Sequence, residues 1–284
     1  MIRFACLTSL ALALLAAPLA AADLAIATLV EGDVRVLRGT TWHRVVPGAR
    51  LEPGDIVSAA QRAQVQLEFV PAGLANFVGA GTLYLVPPPA KQAANAPAAT
   101  LLVPEGWLKV AAKRPPLEVR TPSAQLELSD AVVVMRHDGT KLEAFIEAGA
   151  PKFSEVAASG AEEAVREAKA DQFWSKAAFG NFVPSTRPPK AFVDAMPRHY
   201  FDALAPMAGR HKSRPTLAAL GEVSYEEAQP WLAGRDRAVF ERRFVRRLRD
   251  PEFRRAVEPD VARYPSWDRR LHPEKYAPRT PAPR

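Results

Sequence analysis

Four arginines near the end of the chain offer the most distinctive chemistry in this sequence: Arg242, Arg243, Arg246 and Arg247. One guanidinium can donate two parallel hydrogen bonds to a phosphate or carboxylate, so clustered arginines are typical of a site for an anionic partner. Acidic or phosphorylated polymers, anionic lipid headgroups and acidic proteins all present such groups. The alternative interpretation is a solvated helix surface with ion pairs between side chains four residues apart.

These arginines must be positioned by a helix over residues 237–249. Phe240, Phe244 and Leu248 recur every four residues, so they share one face of that helix. The arginines occupy much of the remaining surface. We therefore expect reversal of their charge to change stability only modestly while weakening salt-sensitive binding. A second helix is predicted to begin at Asp250.

No pattern in the sequence indicates a catalytic centre, a metal site or a cofactor site. A Gly-x-Ser-x-Gly elbow, a phosphate-binding loop and a Gly-x-Gly-x-x-Gly loop are all absent from it. Acidic pairs at Glu162-Glu163 and Glu226-Glu227 fall at predicted helix starts, where they complement the helix dipole. We therefore predict a non-enzymatic protein without cofactor or metal. Its five histidines are scattered, with no metal-ligand spacing between them: His43, His137, His199, His211 and His272.

The first 22 residues match a secretory signal peptide. A charged start at Arg3 precedes an apolar run from Phe4, and small residues end at Ala22. An uncleaved anchor is the alternative, because the apolar stretch approaches the length that crosses a bilayer. Cleavage before Asp23 would remove Cys6, the only cysteine, and so exclude a disulfide or thiolate ligand from the mature chain. We predict a periplasmic protein whose mature chain does not span the membrane.

Charge is distributed unevenly along the 284 residues. The composition, with 48% hydrophobic and 24% charged residues, excludes wholesale disorder and a polytopic membrane protein. Residues 23–153 have equal numbers of acidic and basic side chains, whereas the final 50 residues carry 15 basic and 8 acidic ones. We therefore expect a neutral first half with little field to attract a polyanion, and a basic second half.

Hydrophobic patterning divides the chain into a β half and a helical half, which predicts the α+β class. Over residues 23–153, short alternating runs are separated by Gly, Pro and Asp, as in a sandwich, a barrel or a short solenoid. A turn is predicted at residues 137–140, between the last two of these strands. The β half should therefore be an all-β domain.

Three further segments follow the predicted β domain. Residues 154–189 are predicted to contain a helix over 163–178, after a capping box at 159–162, and then a proline-rich linker. Residues 190–276 are expected to form a basic helical region with proline-marked joints. A disordered tail at 277–284 completes the predicted organisation.

Two glycine turns in the β half have a defined spacing, Pro47-Gly48-x-x-Leu51-x-x-Gly54-Asp55. Glycine permits positive φ at Gly48 and Gly54, and Asp55 can accept a hydrogen bond from the backbone of its own turn. We therefore predict that Gly48, Gly54 and Asp55 are structural rather than ligand-binding residues.

A family resemblance rests on these turns and on several strand segments. The matching segments are 32–36, 38–39, Trp42, 47–48, Leu51, 54–58, 67–69, 105–110 and Val119-Arg120-Thr121-Pro122. Together they make residues 25–150 similar to the FecR domain of bacterial periplasmic proteins. In that family the domain is a non-enzymatic module that relays receptor occupancy across the inner membrane to a sigma factor. This sequence shows neither a cytoplasmic region before the apolar stretch nor an internal membrane helix. The resemblance therefore implies a β module that binds another protein or an envelope polymer.

Two functional hypotheses follow. The first is an exported, non-enzymatic binding, scaffold or sensing module whose partner is another envelope protein. The second is an envelope protein whose basic helices hold an anionic polysaccharide or peptidoglycan. Nucleic acid is not an expected partner, because export separates the protein from it. Four aromatic residues could stack on sugars, although packing in the core is the favoured interpretation for them: Trp231, Tyr264, Trp267 and Tyr276.

Overall fold

The computed structural model describes residues 23–91, 93–155, 165–178 and 180–276. Strands dominate the described chain up to residue 185, and helices are concentrated after residue 190. This confirms the predicted α+β class, with a mostly-β N-terminal region followed by a helical one. The predicted signal segment 1–22, capping box 159–162 and tail 277–284 lie outside the described residues.

Two long antiparallel strands, β7 (Gly73–Val86) and β8 (Ala99–Ala112), connect two layers of β-sheet. A register shift between Val78 and Thr82 divides their pairing into two halves. The half of β7 before the shift belongs to one layer, and the half after it belongs to the other. The result is a β-sandwich, one of the architectures that the strand pattern left open.

Each layer extends outward from β7 and β8. Neighbouring strands are antiparallel, except that β8 and β9 (Leu117–Arg120) are parallel. One layer is called the helix-covered sheet because the C-terminal helices pack on its outer face. It runs β17 (Ala219–Glu222), β3 (Thr41–Arg44), β2 (Val34–Arg38), β5 (Ile56–Ala59), β7, β8, β9 (Leu117–Arg120), β10 (Ala124–Leu128), β13 (Lys152–Glu155) and β14 (Arg166–Glu167). The other sheet is called the strap-covered sheet because residues 186–218 cross its outer face. It runs β4 (Arg50–Leu51), β1 (Ala25–Glu31), β6 (Gln64–Phe69), β7, β8, β11 (Ala131–Asp138), β12 (Lys141–Ala148), β15 (Phe173–Ala177) and β16 (Val183–Ser185).

Alternation along the strands separates the core between the sheets from the core under the helices. Val36 and Val57 point between the two sheets, into one large cluster of buried apolar side chains. Their neighbours Leu37 and Ile56 point the other way and pack against the helical region. The helix-covered sheet is therefore buried on both faces, which explains why its strands contain consecutive apolar residues.

Residues 186–218, called the strap here, cross the outer face of the other sheet. The strap contains α1 (Lys190–Ala195) and two short 3₁₀ turns. Its Phe192 and Tyr200 pack against Val134 and Phe173 of the sheet in a third apolar cluster.

Polar side chains of the sheet hold the main chain of the strap. Lys109 is only 1% exposed, and its ammonium donates to the carbonyls of Tyr200 (2.6 Å) and Asp202 (2.9 Å) while pairing with Glu147 (2.8 Å). The buried carboxylate of Glu68 accepts hydrogen bonds from the main-chain N–H groups of residues 207 and 208. Buried charges require such partners, so these side chains fix the path of the strap.

Helices cover the other sheet after β17 has paired with β3. They are α2 (Tyr225–Ala233), α3 (Arg237–Phe244), α4 (Pro251–Val257) and α5 (Pro265–Leu271), with 3₁₀ turns between them. The predicted helix over 237–249 is α3 followed by a 3₁₀ turn, and its apolar face is buried as predicted. Asp250 begins α4 by accepting hydrogen bonds from two main-chain N–H groups. None of the helices in the described ranges reaches the length and hydrophobicity that a bilayer span requires.

The prediction of a helix over residues 163–178 is wrong for the part of that segment that the structure describes. Residues 166–167 and 173–177 are strands β14 and β15. Trp174 stacks on Phe153, with ring centroids 5.3 Å apart, and β15 pairs along β12. Helix propensity is a weak preference that such pairing and burial override. The strands therefore continue to Ser185, beyond the predicted boundary at residue 153.

Candidate functional site

Arg243, one of the predicted anion-binding arginines, holds the helical region against the sandwich. Its guanidinium donates hydrogen bonds to the main-chain carbonyls of Gly39 (2.6 Å), Gly54 (2.6 Å) and Leu37 (2.7 Å). These carbonyls lie at the end of β2 and just before β5, so Arg243 closes the joint between α3 and the helix-covered sheet. Burial lowers the pKa of the Arg243 guanidinium below its ordinary value, although an arginine remains a cation throughout the physiological range.

Two more of these arginines also have partners within the chain. Arg246 donates to the hydroxyl of Thr40 at 2.9 Å. Arg247 pairs with Asp250 at 3.1 Å and is mostly buried. Arg242 is exposed and has no partner in the described part of the chain.

The structure therefore removes Arg243 and Arg247 from the expected solvated arginine face, whereas Arg242 and Arg246 are exposed. A guanidinium can donate to several acceptors at once, and the turns of the sheet present main-chain carbonyls to α3 that arginine can satisfy. Reversing all four charges would therefore disturb the joint instead of changing stability modestly. The corrected residues are Arg243 and Arg247. Arg246 donates to Thr40 but is exposed to solvent.

One of the two predicted glycine turns, the turn at Gly54, lies at the same joint, whereas Gly48 lies against His211 and Pro215 of the strap. Gly48 and Gly54 have φ angles of +89° and +93°, in the region that favours glycine. The buried carboxylate of Asp55 accepts hydrogen bonds from the main-chain N–H of Glu52 (2.8 Å) and from the guanidinium of Arg38 (2.7 Å). These contacts shape the turn between β4 and β5, whose Gly54 carbonyl is bound by Arg243.

A cleft of about 510 Å³ lies between the sandwich and the loop that joins α2 to α3. Ligand sites commonly have volumes of roughly 300–1,000 Å³, and they often lie at the junction of two structural units. Apolar side chains and prolines form most of the cleft, and polar side chains surround it. The lining residues are Leu102, Pro104, Arg120, Thr121, Pro122, Gln125, Pro230, Trp231, Gly234, Arg235, Asp236 and Phe240.

The sandwich wall of the cleft is formed by the segment Val119-Arg120-Thr121-Pro122. After β9 ends, the hydroxyl of Thr121 accepts a hydrogen bond from the main-chain N–H of Ala124 (3.1 Å), which closes the turn into β10. Arg120 is oriented by an ion pair with Glu118 at 2.6 Å. This part of the FecR-like pattern therefore positions both a proline and an arginine at the cleft.

The helical wall is built on aromatic rings that pack against one another at tilted angles. The ring centroids of Trp231 and Phe240 are 5.1 Å apart, and both rings also contact Tyr84 of the sheet. Burial raises the pKa of the Tyr84 hydroxyl above its ordinary value. Beyond these rings, Arg235 and Asp236 form part of the rim. The rim therefore carries charges of both signs.

The sequence marks parts of both walls, but it does not indicate the cleft that they form. Val119–Pro122 matches the FecR-like pattern, and Trp231 is one of the aromatic residues that could stack on sugars. Nothing in their spacing indicates that they face each other, because the helical region must first fold back over the sheet. Gln125 and Asp236 have no recognisable sequence signal.

The other aromatic candidates occupy different environments. Trp231, Tyr264 and Trp267 are buried in the core of the helical region. Tyr276 is half exposed, and its hydroxyl donates to Asp268 at 2.6 Å.

His137, and Glu227 of the acidic pair in α2, have local partners. Nδ1 of buried His137 contacts the carbonyl of Pro104, and burial lowers the pKa of His137. Glu227 completes the capping box of α2 with Ser224 and accepts a hydrogen bond from the indole of Trp42 at 3.0 Å. Across the described ranges, no group of three or more His, Cys, Asp or Glu side chains is placed to hold a metal ion.

Comparison with known proteins shows only distant similarity. Neither a protein-family model nor a curated protein sequence matches the chain. Two crystal structures of a candidate anti-sigma factor from Parabacteroides distasonis ATCC 8503 are similar to part of it. The structure at 1.65 Å is 12% identical, with a TM-score of 0.38 over 46% of this chain and 59% of that chain. The structure at 2.50 Å is 11% identical, with a TM-score of 0.39 over 49% and 64%. This chain therefore spans about three fifths of the solved chains that it matches, and the FecR resemblance stays a prediction.

Proposed function

We propose that this protein is an exported, non-enzymatic module that binds another envelope protein through the cleft between its sandwich and its helical region. The cleft itself is the observation that carries the proposal, because it combines a suitable volume with apolar walls and a polar rim. Export rests on the signal-like pattern of residues 1–22. A scaffold or sensing role in the envelope is consistent with both features.

The composition of the cleft favours a polypeptide partner over a polyanion. Apolar walls at Leu102, Pro230 and Phe240 can receive an apolar side chain. Arg120 and Asp236 on the rim have opposite charges, so they can contact a segment that carries both acidic and basic groups. A polyanion would instead require a rim of one sign.

Filling the cleft tests the proposal without disturbing the joint at Arg243. Gly234 lines the cleft with a φ of −80°, and an added Cβ would meet no atom closer than 3.9 Å. Gly234→Phe should therefore fold normally and occupy the cleft. Gly209→Phe is the matched control, because Gly209 lies in the strap and an added Cβ there meets no atom within 4 Å.

The readout is site-specific photo-cross-linking in the periplasm of the source cell. Benzoyl-phenylalanine at Gln125, inside the cleft, should give an adduct with one envelope protein, whereas the same probe at exposed Lys113 should not. Gly234→Phe should abolish the adduct and Gly209→Phe should leave it intact. An adduct that survives Gly234→Phe would place the partner elsewhere. Retention on purified peptidoglycan that is lost in Gly234→Phe would favour the polysaccharide hypothesis instead.

A further inference from the structure

A second concave surface lies between α3 and α5, on the helical region. This groove of about 570 Å³ is lined by Glu241, Arg242, Val245, Ser266, Arg269 and Arg270. It includes Arg242, the one member of the predicted arginine cluster that has no partner in the described part of the chain, and adds two arginines from another helix.

The charge of the groove is positive because its only carboxylate is already paired. Glu241 accepts from Arg237 at 3.1 Å and from the hydroxyl of Ser266 at 2.6 Å. The guanidiniums of Arg242 and Arg270 are exposed, and neither has a partner among residues that the structure describes. Arg269 lies over the ring of Tyr276, 5.4 Å from its centroid, a contact that leaves its N–H donors available.

Several arginines around one groove indicate a ligand with several acceptor oxygens. A phosphate group can accept from more than one guanidinium, and bidentate binding adds both energy and orientation. A groove between two helices is concave, so an extended chain can enter it more easily than the flat surface of a bilayer. Its single sign of charge also distinguishes it from the cleft, whose rim carries both signs.

We propose that the α3–α5 groove binds a linear phosphate-bearing polymer through Arg242, Arg269 and Arg270. This site is separate from the cleft of the proposed function, and it provides a second contact of the protein with envelope material. Binding depends on salt, because the polymer releases counterions when the arginines replace them.

Removal of charge at the groove tests this assignment. The test variant carries Arg242→Gln, Arg269→Gln and Arg270→Gln. The control variant carries Arg249→Gln, Arg254→Gln and Arg255→Gln, three exposed arginines without partners in the described residues. Both variants lose the same net charge, so a difference between them reports the groove itself. Single Arg270→Gln provides a milder variant if the triple one unfolds.

Fluorescence anisotropy with end-labelled linear polyphosphate measures the affinity. The groove variant should bind at least about tenfold more weakly, with a shallower salt dependence, and the control should stay within about threefold of the parent.

Equal losses of affinity in the two variants would show that only net charge matters, and unchanged binding in the groove variant would overturn the site. Equal affinity for polygalacturonate would overturn the choice of phosphate, and tighter binding to phosphatidylglycerol vesicles would overturn the choice of a polymer. Gly234→Phe should bind polyphosphate like the parent, which separates this test from that of the cleft.

Discussion

Arg243 donates a hydrogen bond of 2.6 Å to the carbonyl of Gly54, although the two residues lie 189 positions apart in the sequence. Gly54 adopts a φ of +93° in the turn before β5, and the arginine satisfies the carbonyl that this turn presents to α3. The arginine cluster and the glycine turn, which look unrelated in the sequence, therefore form one structural joint.

Removing the Arg243 side chain should destabilise the protein through this joint. Arg243→Ala leaves three main-chain carbonyls without their donor, and we expect the free energy of unfolding to fall by roughly 2–4 kcal/mol. Arg242→Ala removes an exposed side chain and should change it by less than about 0.5 kcal/mol. Urea denaturation of both variants measures the difference. A similar loss of unfolding free energy in the two variants would show that the hydrogen bonds of Arg243 do not stabilise the joint.

Replacing Gly54 should destabilise the same joint through backbone strain. Gly54→Val places a β-branched residue at positive φ, with an expected cost of roughly 1–3 kcal/mol. Gly209→Val, at a glycine where an added Cβ meets no atom within 4 Å, is the control. Thermal melting should show a lower midpoint only for the Gly54 variant. Unchanged melting together with loss of the cleft cross-link would indicate that Gly54 contacts the partner directly.

Removing the Lys109 ammonium should loosen the strap. Lys109→Met leaves the Glu147 carboxylate and the carbonyls of Tyr200 and Asp202 without their shared donor. Hydrogen exchange of amides in residues 200–208 should accelerate at least about tenfold, which corresponds to about 1.4 kcal/mol of local stability. Lys113→Met, at an exposed lysine just beyond β8, should leave this exchange unchanged. Equal protection in both variants would mean that apolar contacts alone hold the strap.

Stability should decrease as the pH falls from about 7.5 to about 5. Burial lowers the pKa of His137 below its ordinary value of about 6.5. In this pH range the unfolded chain therefore binds a proton at His137 that the folded chain does not bind, which favours unfolding. The pKa of His199 is lowered in the same direction, also chiefly by burial.

His137→Gln separates the contribution of this histidine from that of the others. The variant should lose some stability at pH 7.5 but show a smaller change between pH 7.5 and 5. Urea denaturation at several pH values gives the slope for each protein. A slope identical to that of the parent would show that other groups cause the pH dependence.

Local patterns in the sequence determined much of the secondary structure. Alternating apolar residues predicted the strands of the sandwich, and the recurrence of Phe240, Phe244 and Leu248 predicted the buried face of α3. The glycine turn at Gly54 was also readable, because positive φ is a local property that few other residues tolerate. Such signals depend only on residues that are close together in the chain.

Only the tertiary structure decided what the arginines and the residues of the cleft contact. Arg243 binds carbonyls of the sheet while Arg242, its neighbour in the chain, faces the groove. Pro122 and Trp231 line one cleft from opposite sides, and no periodicity relates them. The segment at 173–177, whose surroundings are rich in helix formers, became a strand because β12 and Phe153 offered it pairing and burial. In each case the deciding interactions join residues far apart in sequence. They form only once the chain has folded back over the sandwich, so no local pattern predicts them.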